Sequence, residues 1–282
     1  MDLKAPFRGS KNKLGEENET MFLQRYPINS CCLCGCTENL TGEHKIKASA
    51  LRKEFGKEAL VVGVLGPSDR KMKSAQSANS KHLKFNVSIC EACNTSRTQQ
   101  ADQEFDRFHE LAMLKVKDNE DPLTIFQMER YSVDSEPYLN VFRYFAKLLC
   151  CHIAEVNGPI PTTLASFAIA GNSLNRIWLE VKRDPTYKFA TAQIGEYQYA
   201  AHGGLIVYGD KNTNEANAFH STVTIGPLQY VFHIRLESFE KAEIRHRYPD
   251  FLEWCSSKIE EAKENPIAEG ALVQLGLKDE SA

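Results

Sequence analysis

Two short cysteine clusters constrain this chain more than any other feature. Cys31-Cys32-Leu33-Cys34-Gly35-Cys36 lies near the start, and Cys90-Glu91-Ala92-Cys93 follows, with Asn94 directly after it. Two C-x2-C pairs at such a separation can close a tetrahedral four-thiolate site, which suits Zn²⁺ because the ion takes soft donors and has no geometric preference of its own. Cys31 with Cys34 is the preferred first pair, since it alone in that cluster has the two-residue spacing followed by glycine; Cys32 and Cys36 are the alternatives. A structural ion held by both clusters would draw His44 and Asn94 together. Six of the nine cysteines lie in the clusters and the total is odd, a pattern that fits a reducing compartment and metal binding better than a disulfide framework. Cys150, Cys151 and Cys255 sit in apolar helical runs and read as small core hydrophobes.

At 282 residues the chain exceeds the usual length of one domain, so two are expected. Hydrophobic, charged and aromatic contents of 42%, 25% and 10% argue against both disorder and a membrane protein. No apolar run approaches the roughly 20 residues of a transmembrane helix. Met1 to Ser10 carries no apolar secretory core, and a cytoplasmic location is expected. The net charge of −3 hides an asymmetry. Residues 45–98 carry eleven basic against four acidic side chains, a surplus of +7, whereas 248–282 has a balance of −5. A basic segment is the electrostatic footprint of phosphate binding, and Lys45, Lys47, Lys71, Lys73, Lys81, Lys84 and Arg97 are its candidate contacts.

Patterning divides the chain into a polar extension over 1–28, a cysteine-bearing domain over 29–118 and a second domain over 119–282. In the first domain, 40–46 and 83–89 read as strands, 48–58 as a helix and 63–80 as an exposed loop. From Glu91 to about Lys115 an apolar stripe of Phe105, Phe108, Leu111 and Ala112 predicts a helix. Turn residues Asp118, Asn119 and Pro122 end it. A second helix is predicted over 138–156, closed by Pro159 and Pro161. Strand patterns at 177–181, 189–194, 205–208, 222–225 and 230–236, then a helix over 249–264, predict an antiparallel sheet with helices on one side. The expected class is therefore α+β. His82, His109, His202, His220 and His233 fall outside any motif, and His109 is expected on the exposed or half-buried side of its helix.

Cys31-x2-Cys34-Gly35, Gly42-Glu43-His44 and Cys90-x2-Cys93-Asn94, with the run Asn94-Thr95-Ser96-Arg97-Thr98-Gln99, resemble the HNH endonuclease superfamily, in the subgroup whose ββα-metal core carries a four-cysteine zinc site. The resemblance covers about residues 29–115. It implies that His44 is the general base, that Glu43 and Asn94 are ligands of a catalytic Mg²⁺ or Mn²⁺, and that an asparagine steadies the metal loop, for which Asn86 is chosen over Asn79. Three features depart from the family: Glu43 stands where Asp is commoner, the middle asparagine has no clean match, and an insertion over about 51–82 must loop out of the core.

The chemistry is coherent on its own. Phosphodiester hydrolysis needs an activated water and a cation to offset charge growing on the phosphate, and an unperturbed histidine is neutral enough at physiological pH to take a proton. The expected function is a metal-dependent DNA endonuclease acting on double-stranded DNA, of the kind found in bacterial anti-phage defence. The second half would serve a partner protein, dimerisation or regulation. The rival readings are a non-catalytic zinc module that binds nucleic acid and an RNA nuclease of the same architecture.

Overall fold

The computed structural model describes residues 21–57, 59–65, 71–184, 187, 199–210 and 212–264. Its elements, in order, are β1 (Leu23–Gln24), β2 (Leu40–His44), α1 (Ala48–Phe55), β3 (Leu60–Leu65), β4 (Lys71–Ala75), β5 (Lys84–Cys90), α2 (Gln99–Lys117), α3 (Glu136–Glu155), β6 (Ile160–Pro161), α4 (Thr162–Ala168), β7 (Trp178–Arg183), β8 (Tyr199–Gly203), β9 (Ile206–Gly209), β10 (Ala216–Ile225), β11 (Leu228–Arg235), α5 (Ser238–Arg247) and α6 (Pro249–Glu264). The fold is mixed α+β. A seven-stranded sheet runs β4-β3-β8-β10-β11-β7, with β9 pairing the other end of β10. Its pairs are antiparallel except β3 with β8, which are parallel with Val61 opposite Tyr199. Two small antiparallel pairs, β1 with β6 and β2 with β5, stand apart.

The β3–β4 hairpin corrects the sequence reading. Residues 63–80 were expected to loop out, yet Leu60–Leu65 and Lys71–Ala75 are strands that extend the large sheet. Leu60, Val62 and Ala75 are buried, and that burial, with a partner strand supplied from far along the chain, outweighs the polar look of the segment. The end of the expected N-terminal extension is likewise docked. Leu23 is fully buried, and its strand pairs with β6. The strand expected over 189–194, residues 1–20 and the acidic stretch beyond 264 lie outside the described residues.

Three helices cover one face of the sheet. Phe105 on α2, Tyr144 and Phe145 on α3, and Tyr230 and Phe232 on β11 form an aromatic cluster, with Phe105 and Tyr144 stacked at 3.9 Å. Helix α6 adds Phe251 against Phe219 of β10. One continuous core therefore holds residues from both sides of position 118. Local signals set the helix starts: Ser135 accepts the Tyr138 N–H at 3.2 Å to cap α3, and Glu237 and Glu240 form a reciprocal capping box at α5. His109 departs from expectation. It is buried and bonds the Tyr230 hydroxyl through Nδ1 at 2.7 Å, so it joins α2 to the sheet.

Candidate metal centre and adjoining cleft

The first cysteine cluster folds as a knuckle fastened to β5. Cys31 N–H donates to the Cys36 carbonyl at 2.7 Å, Gly35 N–H to the Cys31 carbonyl at 2.8 Å, and Cys32 N–H to the Ser88 carbonyl at 3.1 Å. Gly35 has φ +74°, and a Cβ there would stand 2.6 Å from the Tyr26 ring, so both conformation and space require glycine. The second cluster follows β5 directly. The Sγ atoms of Cys31, Cys34, Cys90 and Cys93 lie within 4.8 Å of one another, with Cys34 at 3.6 Å from both Cys90 and Cys93.

Those separations identify what the cluster can accept. A disulfide needs about 2.05 Å between sulfurs, and all nine cysteines are free. Tetrahedral Zn–S bonds of about 2.3 Å imply sulfur–sulfur edges of about 3.8 Å, close to those seen. The four thiols thus fit a zinc ion, with Cys31 and Cys34 as the first pair. The alternatives lie elsewhere: Cys32 meets Cys151 of α3 at 3.8 Å, and Cys36 is exposed. A hydrogen bond from Cys93, together with backbone donors, pulls the Cys31 thiol well below its ordinary range to about 4 against the opposing effect of burial. Exposed Arg97 donates to Cys93 Sγ at 3.7 Å.

After Cys93 the backbone makes a π-helical turn, Cys93–Arg97, before α2 begins. Thr98 Oγ1 donates to the Cys93 carbonyl, five residues back, at 2.9 Å. The sequence predicted an uninterrupted helix here; a widened turn of this kind recurs at functional sites because it redirects a side chain. Asn94 rides on the turn. Its Nδ2 donates to Thr41 Oγ1 on β2 at 3.0 Å, which fixes the amide plane.

Glu43 and His44 end β2, where the pairing with β5 shifts register between Gly42 and His44. They share one open cleft of about 190 Å³ with Asn94, and Lys47, Ala48, Ser49, Arg52 and Asp102 complete its lining. Asn86 does not line this cleft. It is exposed on β5, and its N–H donates to Glu155 at 3.0 Å.

The cleft carries charge of both signs. Glu43 is 8% exposed. Burial raises its carboxyl above the usual range, opposed by the Lys147 ammonium. Lys147 comes from α3 and is 1% exposed; its Nζ lies 3.2 Å from Glu43 Oε1 and 2.8 Å from Asp102 Oδ1. Burial alone would lower it, but the Glu43 and Asp102 carboxylates overcome that effect and hold it above the normal lysine range. Lys47 lies 3.6 Å from Asp102 and 3.7 Å from Asp106, while Ser49 donates to Asp106 at 2.9 Å. His44 is pushed down to about 4 by burial first and then by Lys84, Arg52, Lys147 and Lys47. It is neutral at physiological pH, and its buried Nε2 has no hydrogen-bond partner.

Lys147, Asp102, Asp106, Ser49 and Arg52 were not singled out by sequence. A signal for the first existed, since Lys147 interrupts an otherwise apolar run on α3. The basic segment also reads differently in three dimensions. Lys45 pairs with Glu155 at 2.8 Å and Lys53 pairs with Glu110, so acids from outside the segment offset part of its surplus. Lys81 is exposed and Lys84 stands across the strand pair from His44. Lys71 and Lys73 belong to β4, and their side chains lie outside the described residues. No helix among the described residues is long and apolar enough to cross a membrane. No family model matches the chain, and neither the curated proteins nor the solved structures searched contain a match to it.

Proposed function

We propose that this chain is a metal-dependent DNA endonuclease of the HNH kind, cutting or nicking by phosphodiester hydrolysis. The observation that carries this reading is the convergence of Glu43, His44 and Asn94 on one cleft beside the four-thiol cluster. The local order supports it too: an antiparallel pair, β2 with β5, is followed directly by a helix, as the ββα resemblance implies. The zinc ion would be scaffold rather than chemistry.

The donor set of the cleft suits a hard cation. Glu43, through the oxygen that Lys147 does not engage, and Asn94, through its amide oxygen, would hold Mg²⁺ or Mn²⁺, which supplies Lewis-acid neutralisation of charge growing on the phosphate. Among the described residues only the four cysteines form a set of three or more Cys, His, Asp or Glu ligands at metal range. Water would therefore fill the remaining positions, as is usual for Mg²⁺. His44 is the base. Its imidazole is neutral and its buried Nε2 has no hydrogen-bond partner, so that atom would accept the proton of a water admitted beside it. Positive charge from Arg52, Lys84 and Lys47 favours approach of an anionic backbone. Burial first, and that positive charge second, make His44 a weak base before substrate arrives, and an anionic backbone offsets only the second.

Plasmid nicking in Mg²⁺ or Mn²⁺ tests the proposal, with His44→Ala as the comparison. Equal nicking by the two proteins, or none by either, sinks it; salt-sensitive DNA binding that survives His44→Ala without cleavage supports a non-catalytic zinc module instead. Parallel RNA substrates separate the RNA nuclease alternative. A role in anti-phage defence predicts that cells with the wild-type chain resist phage and cells with His44→Ala do not; equal plating removes that role.

A further inference from the structure

Lys147 is the least expected charge in the molecule. It lies in the second half of the sequence, on a helix whose neighbours Tyr144, Phe145 and Leu148 are fully buried, and it is itself 1% exposed. A lysine in such a place needs a compensating partner, and it has two. Its ammonium sits 2.8 Å from Asp102 Oδ1 and 3.2 Å from Glu43 Oε1, with the Tyr144 ring 5.5 Å away on one side.

Asp102 is committed to this contact. Lys47 also approaches its Oδ1, at 3.6 Å, and its Oδ2 accepts from the Thr98 hydroxyl at 3.3 Å. Glu43 is less committed, because Lys147 engages only Oε1. The order of constraint therefore runs from α2 to α3 to β2: Asp102 anchors the ammonium, and the ammonium holds one oxygen of Glu43 while the other stays available to the cleft. We infer that Lys147 is a positioning residue for the proposed cation site, fixing the Glu43 carboxylate so that a divalent ion is bound on the Asn94 side of the cleft. The inference rests on the nuclease reading. It adds that the site is incomplete without the second half of the chain.

The rival is a purely structural role, in which the ammonium only offsets two buried acids. Two variants of the full-length protein separate these. Lys147→Met alone leaves Glu43 without its cation and Asp102 with only the longer Lys47 contact, and can unfold the protein, so the decisive variant is Lys147→Met with Asp102→Asn, which removes one charge of each sign. Zinc content and circular dichroism report the fold, and electron paramagnetic resonance of Mn²⁺ reports binding in the absence of DNA. With a native fold, a positioning role predicts Mn²⁺ affinity weakened by about 10- to 100-fold, the usual range for groups that orient a metal ligand. The same role predicts a fall in kcat for nicking with KM for DNA little changed. Wild-type Mn²⁺ affinity and kcat in the folded double variant overturn the inference and leave the nuclease reading standing. His44→Ala is the control, expected to bind Mn²⁺ and not to nick. A wild-type protein that neither binds Mn²⁺ nor nicks brings down the nuclease reading itself, and the inference with it.

Discussion

The thiol cluster and the cleft beside it meet at Cys93 and Asn94 and are held by opposite means. The cluster uses four identical side chains from two tight spacings, gathered by one knuckle and the end of β5. The cleft gathers unlike side chains from β2, the π turn, α1, α2 and α3, and it balances them by charge. A site of identical ligands depends on an ion to pay for crowding four thiols. A site of mixed charges carries its own counter-ions and keeps its shape through the surrounding core. The first is therefore expected to fail all at once, and the second by degrees.

The largest effect should come from the cluster. Structural zinc contributes folding free energy directly, on the order of 10 kcal/mol in small zinc domains at neutral pH. Cys90→Ser should lose zinc and the cooperative thermal transition together, as read by metal analysis and calorimetry; a zinc-free protein with normal melting would remove the metal assignment. Lys147→Met should come next, at about 3–5 kcal/mol, the usual cost of leaving a buried charge without its partner. Denaturant unfolding measures it, and a loss below about 1 kcal/mol, the range of an exposed pair, would mean that the network is not buried in solution.

His44→Ala sharpens the contrast from the other side. A general base contributes about 10²- to 10⁴-fold in rate, whereas truncating this half-buried ring should barely move the melting temperature. Activity lost only in step with stability would contradict the division between scaffold and chemistry. A pH series tests the buried histidines outside both sites. Burial pushes His109, His202 and His220 down to about 4 each, so the unfolded chain, titrating near 6.5, binds more protons than the folded one between those values. Stability is thus full above about pH 6.5 and falls as pH drops towards 4. A flat melting temperature across that window, with zinc retained, would be inconsistent with neutral buried rings. Smallest of all, Arg25→Ala removes the exposed pair with Asp250 and should cost no more than about 1 kcal/mol.

The cluster was legible in the sequence because a C-x2-C spacing fixes local geometry almost alone. The choice of Cys31 and Cys34 over Cys32 and Cys36 followed from the glycine after Cys34, and Tyr26 shows why that glycine is needed. The cleft was legible in part. Asn94 could be read because it follows Cys93 directly, and Glu43 and His44 because they stand as a motif pair between the two cysteine clusters; the three do line one cleft. Asn86 did not join them, since alternation along β5 turns it outward. Lys147 and Asp102 meet only when α3 packs against α2, and no local pattern encodes that meeting. Helices α2 and α3 were visible through their apolar positions. The β3–β4 hairpin was not, because what makes it a sheet is the remote strand β8.

That remote pairing bears on how the chain matures. Val61 lies beside Tyr199, so on a ribosome adding about 5–20 residues per second the β3–β4 hairpin emerges roughly 6–25 s before its neighbouring strand. During that interval β3 presents an open row of backbone donors and acceptors, the kind of edge that recruits other chains. The waiting edge is the apolar run Leu60–Leu65, and the lysines that made this region look like a loop stand only on its partner β4.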